Sequence, residues 1–463
     1  MSAPVYQPFF EERCANATER IGACTMNGPH PFSFPAFRAY WISRFVAVIA
    51  TMSMVVIIGW QVYDIARSDY GMSPGAAAFQ LGLLGLAQFV PLFVLTPVAG
   101  WAADRFERRT VARLANMIDL GVAVALGLLT LNDLLNLPIL FVMAALHGMA
   151  RVFVGPAMSA IAPNLVPPES LPRAIALSSI AWQSASVLGP AAAGFMYADS
   201  PAMPYWVAAA LLGLANLALT FIPPVHPPAD ANRRRPLHQM IEGLRYTWSE
   251  RFLLGAITLD LFAVLLAGAT ALLPVYARDI LHVGPEGLGQ LRAAPALGAA
   301  IVALYLAFKP LRHNVGAKML WAVVIFGLAT IGFGWSHIIG EQLFDNARIE
   351  MFDVTSSMLI ALFMLAILGA ADMLSVFVRS SLVQLNTPDD KRGRVSSISG
   401  LAISASNELG ELQSGFAAAL LGPVGAVVFG GVGAIMVTGL WAWLFPELKN
   451  ARTFEPQFKE KIP

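Results

Sequence analysis

The stretch Gly100-Trp101-Ala102-Ala103-Asp104-Arg105-Phe106-Glu107-Arg108-Arg109 is a short basic loop between two long apolar segments. Those segments, at 76–102 and 110–131, are each long enough to cross a bilayer as a helix, which takes about 20 apolar residues. Lys and Arg accumulate in the cytoplasmic loops of membrane proteins. The stretch therefore predicts a transmembrane hairpin whose turn faces the cytoplasm.

The composition of the whole chain is that of a membrane protein. Hydrophobic residues make up 57% of the sequence and charged residues 13%, whereas a soluble domain averages about 25% charged residues. The net charge of +1 gives no bulk electrostatic attraction to nucleic acid. We therefore expect the lipid bilayer to be a partner of this chain and nucleic acid not to be one.

Twelve apolar runs are long enough to span the bilayer. Unpaired backbone groups in lipid are strongly unfavourable and these runs are too long for barrel strands, so we expect them to be helices. The sequence predicts an all-α membrane protein with twelve transmembrane helices, approximately at 38–66, 76–102, 110–131, 137–160, 172–197, 204–223, 252–276, 287–309, 316–337, 356–384, 395–421 and 424–446.

Basic residues are distributed unequally between the loops on the two sides of the membrane. The loops after odd-numbered segments contain only Arg67, Arg278 and Arg348. The loops after even-numbered segments contain Arg105, Arg108, Arg109, Arg113, Arg173, Arg233, Arg234, Arg235, Arg245, Arg251, Lys309, Arg312, Lys318, Lys391, Arg392 and Arg394. Since positive charge marks the cytoplasmic side, both termini are predicted to be cytoplasmic.

The two ends of the chain, at 1–35 and 447–463, are predicted to be cytoplasmic tails. The first has no apolar core after a basic start, so it is not a cleavable signal peptide, and its polar composition favours disorder. It contains the only cysteines, Cys14 and Cys24. Their spacing and a reducing compartment argue against both a disulfide and a metal site.

A polar stretch at 224–250 separates the apolar runs into two groups of six. It is predicted to be a cytoplasmic linker between an N-terminal half at 36–223 and a C-terminal half at 251–446. Its second part has an amphipathic pattern, with apolar residues at helical spacing. These residues are Met240, Leu244 and Trp248. The basic residues of the linker either contact anionic lipid headgroups or simply mark the cytoplasmic side.

The two halves share an internal repeat. A shift of 221 residues places Arg173 on Arg394 and brings small and apolar residues of matching segments into register. The further matches are Leu188 with Leu409, Gly189 with Gly410, Gly194 with Gly415, Phe195 with Phe416, Gly148 with Gly369, Ser159 with Ser380 and Pro167 with Pro388. Duplicated halves of a transporter place the binding site at their interface near the bilayer midplane.

Charged residues inside the apolar segments are the candidates for function. A charge that faces lipid at the bilayer centre costs at least about 2.5–3.5 kcal/mol, so such groups face the interior and are usually functional. The candidates for proton coupling and for a central cavity are Asp119, His147, Arg151, Asp260, Asp372, Glu408 and Glu411.

The repeat places Arg151 and Asp372 at matching positions of the two halves, with opposite charges. Matching helices that face each other across a cavity would allow these two residues to pair, and His147 lies one turn before Arg151 on the same face. The alternative is a permanent ion pair that only stabilises helix packing.

Glu408 and Glu411 share one face of segment eleven with Ser404. Two carboxylates one turn apart repel each other, and apolar surroundings disfavour their charged form, which suits a proton carrier. Alternatively, they cap a helix or pair with basic residues near the cytoplasmic face. Asp260 is a similar but isolated carboxyl group, and Asp119 has the alternative of pairing with a neighbouring helix.

The charged residues of the loop between segments two and three are suited to controlling the conformation of the protein. Asp104 can interact with the positive N-terminal end of a neighbouring helix. Arg105, Arg108 and Arg109 can bridge to carboxylates of the other half in one conformation and release them in another. The loop, beginning at Gly100, is therefore predicted to be a conformational lock as well as a topology signal.

These motifs resemble those of the major facilitator transporters. The loop from Gly100 to Arg109 is similar to the signature between helices two and three of that superfamily, with Glu107 where a Gly is usual. Arg151-Val152-Phe153-Val154-Gly155 resembles an Arg-x-x-x-Gly signature associated with proton transfer. The stretch from Ala185 to Gly194 is similar to the Gly-Pro motif of facilitator antiporters, with Ala185 and Ala193 where glycines are expected. The motif residues it keeps are Gly189, Pro190 and Gly194.

Longer stretches resemble the enterobactin-exporter-like, or transmembrane secretion effector, branch of the superfamily. They are Pro156 to Pro167, Ala271 to Asp279 and Ser406 to Gly410. This resemblance implies a bacterial cytoplasmic-membrane exporter, driven by proton entry, with siderophores or hydrophobic drugs as cargo. It also implies the major facilitator fold of two six-helix halves.

Three alternatives to an exporter remain open from the sequence. The chain could be an importer or uniporter, or an assembly factor for membrane complexes on the same fold, for which a cavity sealed by bulky apolar residues would be typical. An intramembrane enzyme is disfavoured, since no nucleophile, metal or nucleotide-binding motif is present. We expect no cofactor and no metal, a small-molecule substrate and protons as partners, and a monomer, because one duplicated chain can form a complete cavity.

Overall fold

The computed structural model describes residues 29–225, 236–309, 311, 313–349 and 354–454. The described chain is almost entirely helical. The helices are α1 Pro35–Ser68, α2 Pro74–Arg105, α3 Arg108–Leu131, α4 Leu137–Ile161, α5 Leu171–Asp199, α6 Met203–Thr220, α7 Pro236–Ser249, α8 Arg251–Leu266, α9 Leu273–Val275, α10 Gly284–Phe308, α11 Val315–Gly334, α12 Ser336–Phe344, α13 Ser356–Leu385, α14 Asp389–Leu444 and α15 Pro446–Lys449. A two-residue antiparallel ladder, β1 Arg348–Ile349 with β2 Val354–Thr355, precedes α13.

Several helices begin at side-chain caps that the sequence supplies. Ser73, Asn136 and Thr355 precede α2, α4 and α13, and each side-chain oxygen accepts a hydrogen bond from a backbone N–H of the first turn. Such caps satisfy backbone donors that have no partner within the helix. The starts of these three helices are thus determined locally.

Eleven of the twelve predicted segments lie almost entirely in α-helices, and segment seven is interrupted. Ten helical stretches are long and apolar enough to cross a membrane by length and composition. This count is lower than twelve because α5 is not among them and because α14 contains both of the last two predicted segments. The two parts of α14 meet at Gly422, whose φ of 74° is disfavoured for residues with a side chain, and Pro423 follows directly.

Segment seven differs from the continuous helix predicted at 252–276. Its first part, α8, ends at Leu266, and a short 3-10 turn at Ala269–Leu272 leads into α9. A π-helical turn at Tyr276–Ile280 then completes the segment. Pro274 lies in α9 and has no N–H for a helical hydrogen bond, which favours a break in this region.

The interface between the two halves has an internal symmetry that agrees with the sequence repeat. The helix α5 packs against α10, and α14 packs against α2. A Cβ atom on Gly194 would lie 3.0 Å from the Cα of Gly289, and one on Gly415 would lie 2.8 Å from the Cα of Gly82. Gly194 and Gly415 are partners in the repeat. Both therefore allow close helix approach at equivalent places, as small residues do in membrane bundles.

The segments outside the bundle are partly described. Residues 1–28, with both cysteines, and 226–235 of the linker lie outside the described residues, as do 455–463 of the C-terminal tail. The tail predicted at 1–35 is too long, since a helical turn at Pro31–Ser33 and the start of α1 fall within it. Ser170 donates a hydrogen bond to the Pro29 carbonyl, so this end packs on the N-terminal half. The amphipathic part of the linker is the helix α7.

Candidate functional site

A cavity of about 410 Å³ lies between the two halves and contains charged side chains from both. Cavities of about 300–1,000 Å³ are typical of small-molecule sites. Its apolar lining includes Val55, Val264, Phe326 and Leu368. Its polar lining consists of Gln88, Arg151, Thr270, Arg292, Asp372, Asn407, Glu408 and Glu411. The sequence candidates Arg151, Asp372, Glu408 and Glu411 are thus brought together in one cavity.

The ion pair that crosses this cavity joins α4 to α14. The Arg151 Nη1 atom lies 3.9 Å from the Glu408 Oε1 atom. The predicted direct pair between Arg151 and Asp372 is wrong for this conformation, because no ion pair joins these two described side chains. The repeat makes their positions equivalent in sequence, but the carboxyl group that reaches Arg151 comes from α14 rather than from α13.

Glu411 lies one turn further along α14 and faces the same cavity. Its side chain packs against Gly85 of α2, where the absence of a side chain leaves room for the carboxyl group. Ser404, on the preceding turn, is not part of the cavity lining described here. Both glutamates therefore lie where α14 meets α2, at the interface between the halves.

His147 and Asp119 form a separate buried pair inside the N-terminal half. The His147 Nδ1 atom lies 2.6 Å from the Asp119 Oδ1 atom, and both side chains are almost fully buried. The other ring nitrogen of His147 is buried without a hydrogen-bond partner among the described residues. Asp119 therefore pairs with a neighbouring helix, and His147 faces α3 although it lies one turn from Arg151.

Asp260 is not the isolated carboxyl group that the sequence suggested. It forms a buried ion pair with Arg379, which joins α8 to α13 within the C-terminal half. Neither residue lines the cavity. The sequence reasoning missed Arg379, although the signal was present: it is a lone Arg seven residues after Asp372 in a predicted transmembrane segment.

Arg292 on α10 is a second functional candidate that the sequence reasoning missed. It lines the cavity, and its Nε atom is buried without a hydrogen-bond partner among the described residues. The sequence could have identified it, because Arg292 is a charged residue within the predicted transmembrane segment 287–309. With Arg151 on α4, it places one guanidinium group from each half in the cavity.

A cluster of charged residues joins the two halves on the side of the bundle opposite the basic loops. The Arg67 Nε atom lies 2.9 Å from the Asp279 Oδ2 atom, and the Tyr63 hydroxyl donates a hydrogen bond to the same carboxylate. The Arg278 Nη1 atom lies 2.8 Å from the Asp64 Oδ1 atom. Both ion pairs join α1 to the π-helical turn after α9, so they connect the two halves. Among the described side chains, every ion pair between the halves lies here or in the cavity.

We expect Asp279→Asn to shift the bundle toward a form that is open on this side. The substitution removes the carboxylate that Arg67 and Tyr63 share, and loss of a partly exposed pair worth about 1 kcal/mol changes a two-state population about fivefold. The measurement is maleimide labelling of Asn407→Cys from each side of the membrane, in a background with Cys14→Ser and Cys24→Ser. Labelling from the extracytoplasmic side should increase.

The control for this prediction is Asp133→Asn, on the same side of the membrane. Asp133 lies in the turn between α3 and α4 of a single half, and its φ of 52° is a conformation that Asn also tolerates. Equal labelling of the Asp279 and Asp133 variants would show that the cluster does not control access to the cavity.

The arginines of the basic loop contact their own half in this conformation. The Arg108 Nη1 atom donates to the Ala160 carbonyl at 3.1 Å, and Arg109 donates to the Ile222 carbonyl at 2.6 Å. Glu107, which stands where the superfamily motif usually has a Gly, accepts a hydrogen bond from the Arg109 Nε atom at 2.9 Å.

The other residues of the motif lie at the C-terminal end of α2. The guanidinium of Arg105 lies over the Trp101 ring. Gly100 lies in α2, and the side chain of Asp104 is outside the described structure.

The residues of the Gly-Pro motif lie on α5, where it contacts α1 and α10. The Ser53 hydroxyl of α1 donates to the Gly189 carbonyl at 2.9 Å. Pro190, the next residue, is buried within α5, and its ring leaves one helical hydrogen bond unmade. Gly194 forms the close contact with Gly289 described above. The motif thus supports the interface between the halves and does not line the cavity.

Comparisons with known proteins agree with this architecture. A family model described as Major Facilitator Superfamily matches residues 40–411. The chain is 28% identical over 398 residues to the enterobactin exporter EntS of Citrobacter koseri, covering 85% of this chain and 86% of that protein. It is 26% identical over 427 residues to the enterobactin exporter EntS of Escherichia coli O1:K1, covering 91% of this chain and 95% of that protein.

Solved structures show the same fold at low sequence identity. A crystal structure of the peptide transporter POT in complex with sulfate superposes with a TM-score of 0.67 and 12% identity, covering 91% of this chain and 96% of that one. The crystal structure of the human organic anion transporter MFSD10 gives a TM-score of 0.60 and 15% identity, covering 88% and 99%.

Proposed function

The chain belongs to the Major Facilitator Superfamily and is a multi-pass membrane transporter rather than an enzyme, and from this premise we propose that it exports a small amphipathic compound in exchange for protons. The observation that carries this proposal is the cavity between the halves, which holds two guanidinium and three carboxyl groups. Titratable groups at such an interface suit a site that binds cargo and protons in turn.

The proposed direction and cargo rest on similarity. The relatives described above are named enterobactin exporters, and the Gly-Pro stretch of α5 is similar to the motif of facilitator antiporters. We therefore propose a siderophore-like or drug-like cargo and the bacterial cytoplasmic membrane as the location. The cavity volume of about 410 Å³ in this conformation lies within the range typical of small-molecule sites.

In the proposed cycle, Glu408 and Glu411 carry the protons and Arg151 and Arg292 balance their charge. Protonation of Glu408 from the extracytoplasmic side weakens its ion pair with Arg151, and hence a contact between the halves. Release of the proton to the cytoplasm restores the pair. Cargo that competes with this pair for the same space would exchange with protons. His147 of α4 and Asp119 of α3 form a second proton-accepting pair within the N-terminal half.

Two other functions predict different behaviour. An assembly factor would have a cavity sealed by bulky apolar side chains, whereas this cavity is lined by charged groups from both halves. An importer would move cargo and protons in the same direction, and the assay below distinguishes it from an exporter.

The proposed function is tested with purified protein in liposomes that contain a pH-sensitive dye. A proton gradient is imposed and a panel of siderophores, dyes and amphipathic drugs is added. Proton flux that depends on one compound and runs opposite to its movement supports antiport. Flux in the same direction identifies an importer. The absence of compound-dependent flux across the panel contradicts the proposal and favours the assembly role.

Within this proposal, Asp104 acts as part of the conformational lock. We expect Asp104→Asn to lower the transport rate by about tenfold, the effect of losing a charge–dipole interaction of about 1–2 kcal/mol. The measurement is the initial rate of cargo-dependent proton flux at equal protein content. Glu169→Gln, an exposed acid in the cytoplasmic loop between α4 and α5, is the matched control. An unchanged rate in the Asp104 variant would show that the loop is only a topology signal.

A further inference from the structure

We propose that the linker helix α7 and the start of α14 form a binding site for an anionic phospholipid of the cytoplasmic leaflet. The site is a pocket of about 240 Å³ lined by Glu242, Arg245, Tyr246, Lys391 and Arg394, among others. It lies outside the transport cavity and does not depend on the proposed direction or cargo of transport.

The pocket has an excess of positive charge. Among the described lining residues, three are basic and Glu242 is the only acid. The Glu242 carboxylate pairs with Arg394, whose Nη1 atom lies 2.6 Å from the Glu242 Oε1 atom. The Lys391 ammonium lies over the Tyr246 ring, 4.2 Å from its centre, and Arg245 is exposed. Arg245 and Lys391 have no ion pair with a described acid, so they leave two cationic groups for a ligand.

The helix α7 also exposes an apolar face. Ile241, Leu244 and Trp248 recur at helical spacing and have exposed fractions of 54%, 49% and 70%. The opposite face is buried, because Gly243 and Thr247 face the rest of the protein and Gly243 packs against Arg394. An amphipathic helix with Trp and Leu on one side and basic residues beside them is typical of helices that lie in the membrane interface.

The position of Arg245 connects these two features. On a helix with about 100° between residues, Arg245 falls between the apolar face and the pocket residues Glu242 and Tyr246. A lipid with its acyl chains along the apolar face would therefore place its phosphate near Arg245 and Lys391. A soluble phosphate compound would leave the apolar face of α7 uncovered. We therefore assign the site to a lipid.

The location in the bundle agrees with this occupant. The helix α7 leads directly into α8, and Arg394 lies in the first turns of α14, so the pocket lies at the end of the bundle that carries the basic loops. In the sequence, the run Arg233-Arg234-Arg235 directly precedes α7. The anionic lipids of the cytoplasmic leaflet attract such basic residues at the membrane surface.

The test is native mass spectrometry of the purified protein in detergent, titrated with phosphatidylglycerol or with phosphatidylcholine. We expect phosphatidylglycerol to bind about 10- to 30-fold more tightly, as two basic residues near a lipid phosphate would produce. Arg245→Gln together with Lys391→Gln should remove this preference. Leu244→Gln together with Trp248→Gln should weaken the binding of both lipids.

The matched control is Lys309→Gln together with Lys318→Gln, which removes the same charge from another cytoplasmic part of the C-terminal half. Thermal unfolding of each variant establishes that it is folded. Equal affinity for the two lipids, or an equal loss of preference in the control, would overturn the proposal. Displacement of the lipid by glycerol 3-phosphate at similar concentrations would instead identify a soluble phosphate compound as the ligand.

Discussion

Glu408→Gln and Glu411→Gln are each expected to lower cargo-dependent proton flux by about 100-fold, the lower end of the effect of removing a positioned proton-transfer group. Gln has nearly the same shape as Glu but cannot carry a proton. Both side chains face the cavity from neighbouring turns of α14, and Glu408 is the acid that pairs with Arg151. The measurement is proton flux in liposomes with a pH-sensitive dye inside.

Exchange of labelled for unlabelled cargo without a proton gradient separates coupling from binding. If the glutamates carry protons, this exchange should persist in at least one variant while proton flux is lost. Glu447→Gln is the matched control, since Glu447 belongs to an exposed ion pair with Arg251 far from the cavity. Full, pH-dependent coupling in both the Glu408 and Glu411 variants would mean that other groups carry the proton, with Asp372 the next candidate.

The buried pair of Asp260 and Arg379 is expected to have the largest effect on stability. The exposed fractions of the two side chains are 9% and 3%, so removal of one leaves the other buried without its ion-pair partner. Asp260→Asn and Arg379→Gln should each lower the free energy of unfolding by about 3–5 kcal/mol. The measurement is thermal unfolding of the purified protein in detergent, followed by its intrinsic fluorescence.

A double variant and a variant of an exposed ion pair serve as comparisons for this prediction. Asp260→Leu combined with Arg379→Met removes both charges together and should recover much of the loss, since apolar residues often replace a buried pair without penalty. Arg251→Gln breaks an ion pair whose side chains are 66% and 39% exposed, and it should change stability by at most about 1 kcal/mol. Unfolding of Asp260→Asn at the wild-type temperature would show that this pair does not stabilise the fold.

The transmembrane architecture was predictable because its signals are local. The length of an apolar run decides whether it can span a bilayer, and the basic residues around Arg105 mark the side of the loop. The repeat was also visible, and its partners Gly194 and Gly415 make equivalent contacts at the interface. The break after Leu266 was missed, since a hydropathy pattern reports burial in lipid and not backbone continuity.

The site was predictable in its residue types but not in its pairings. Arg151, Asp372, Glu408 and Glu411 were identified because charge is rare and unfavourable inside a membrane. Arg292 satisfies the same criterion as these residues and was overlooked. Arg151 was paired with the wrong acid, because the repeat relates positions in the two halves without saying which helices meet.

The sequence by itself determined the membrane class, the helical segments and the family, since each of these depends on local composition and short motifs. Only the tertiary structure decided the ion pairs. Glu408 pairs with Arg151, Asp260 pairs with Arg379, and Asp279 joins the two halves through its ion pair with Arg67. These contacts connect residues far apart in the chain. They depend on how helices rotate and approach one another, which side-chain packing across the whole bundle determines.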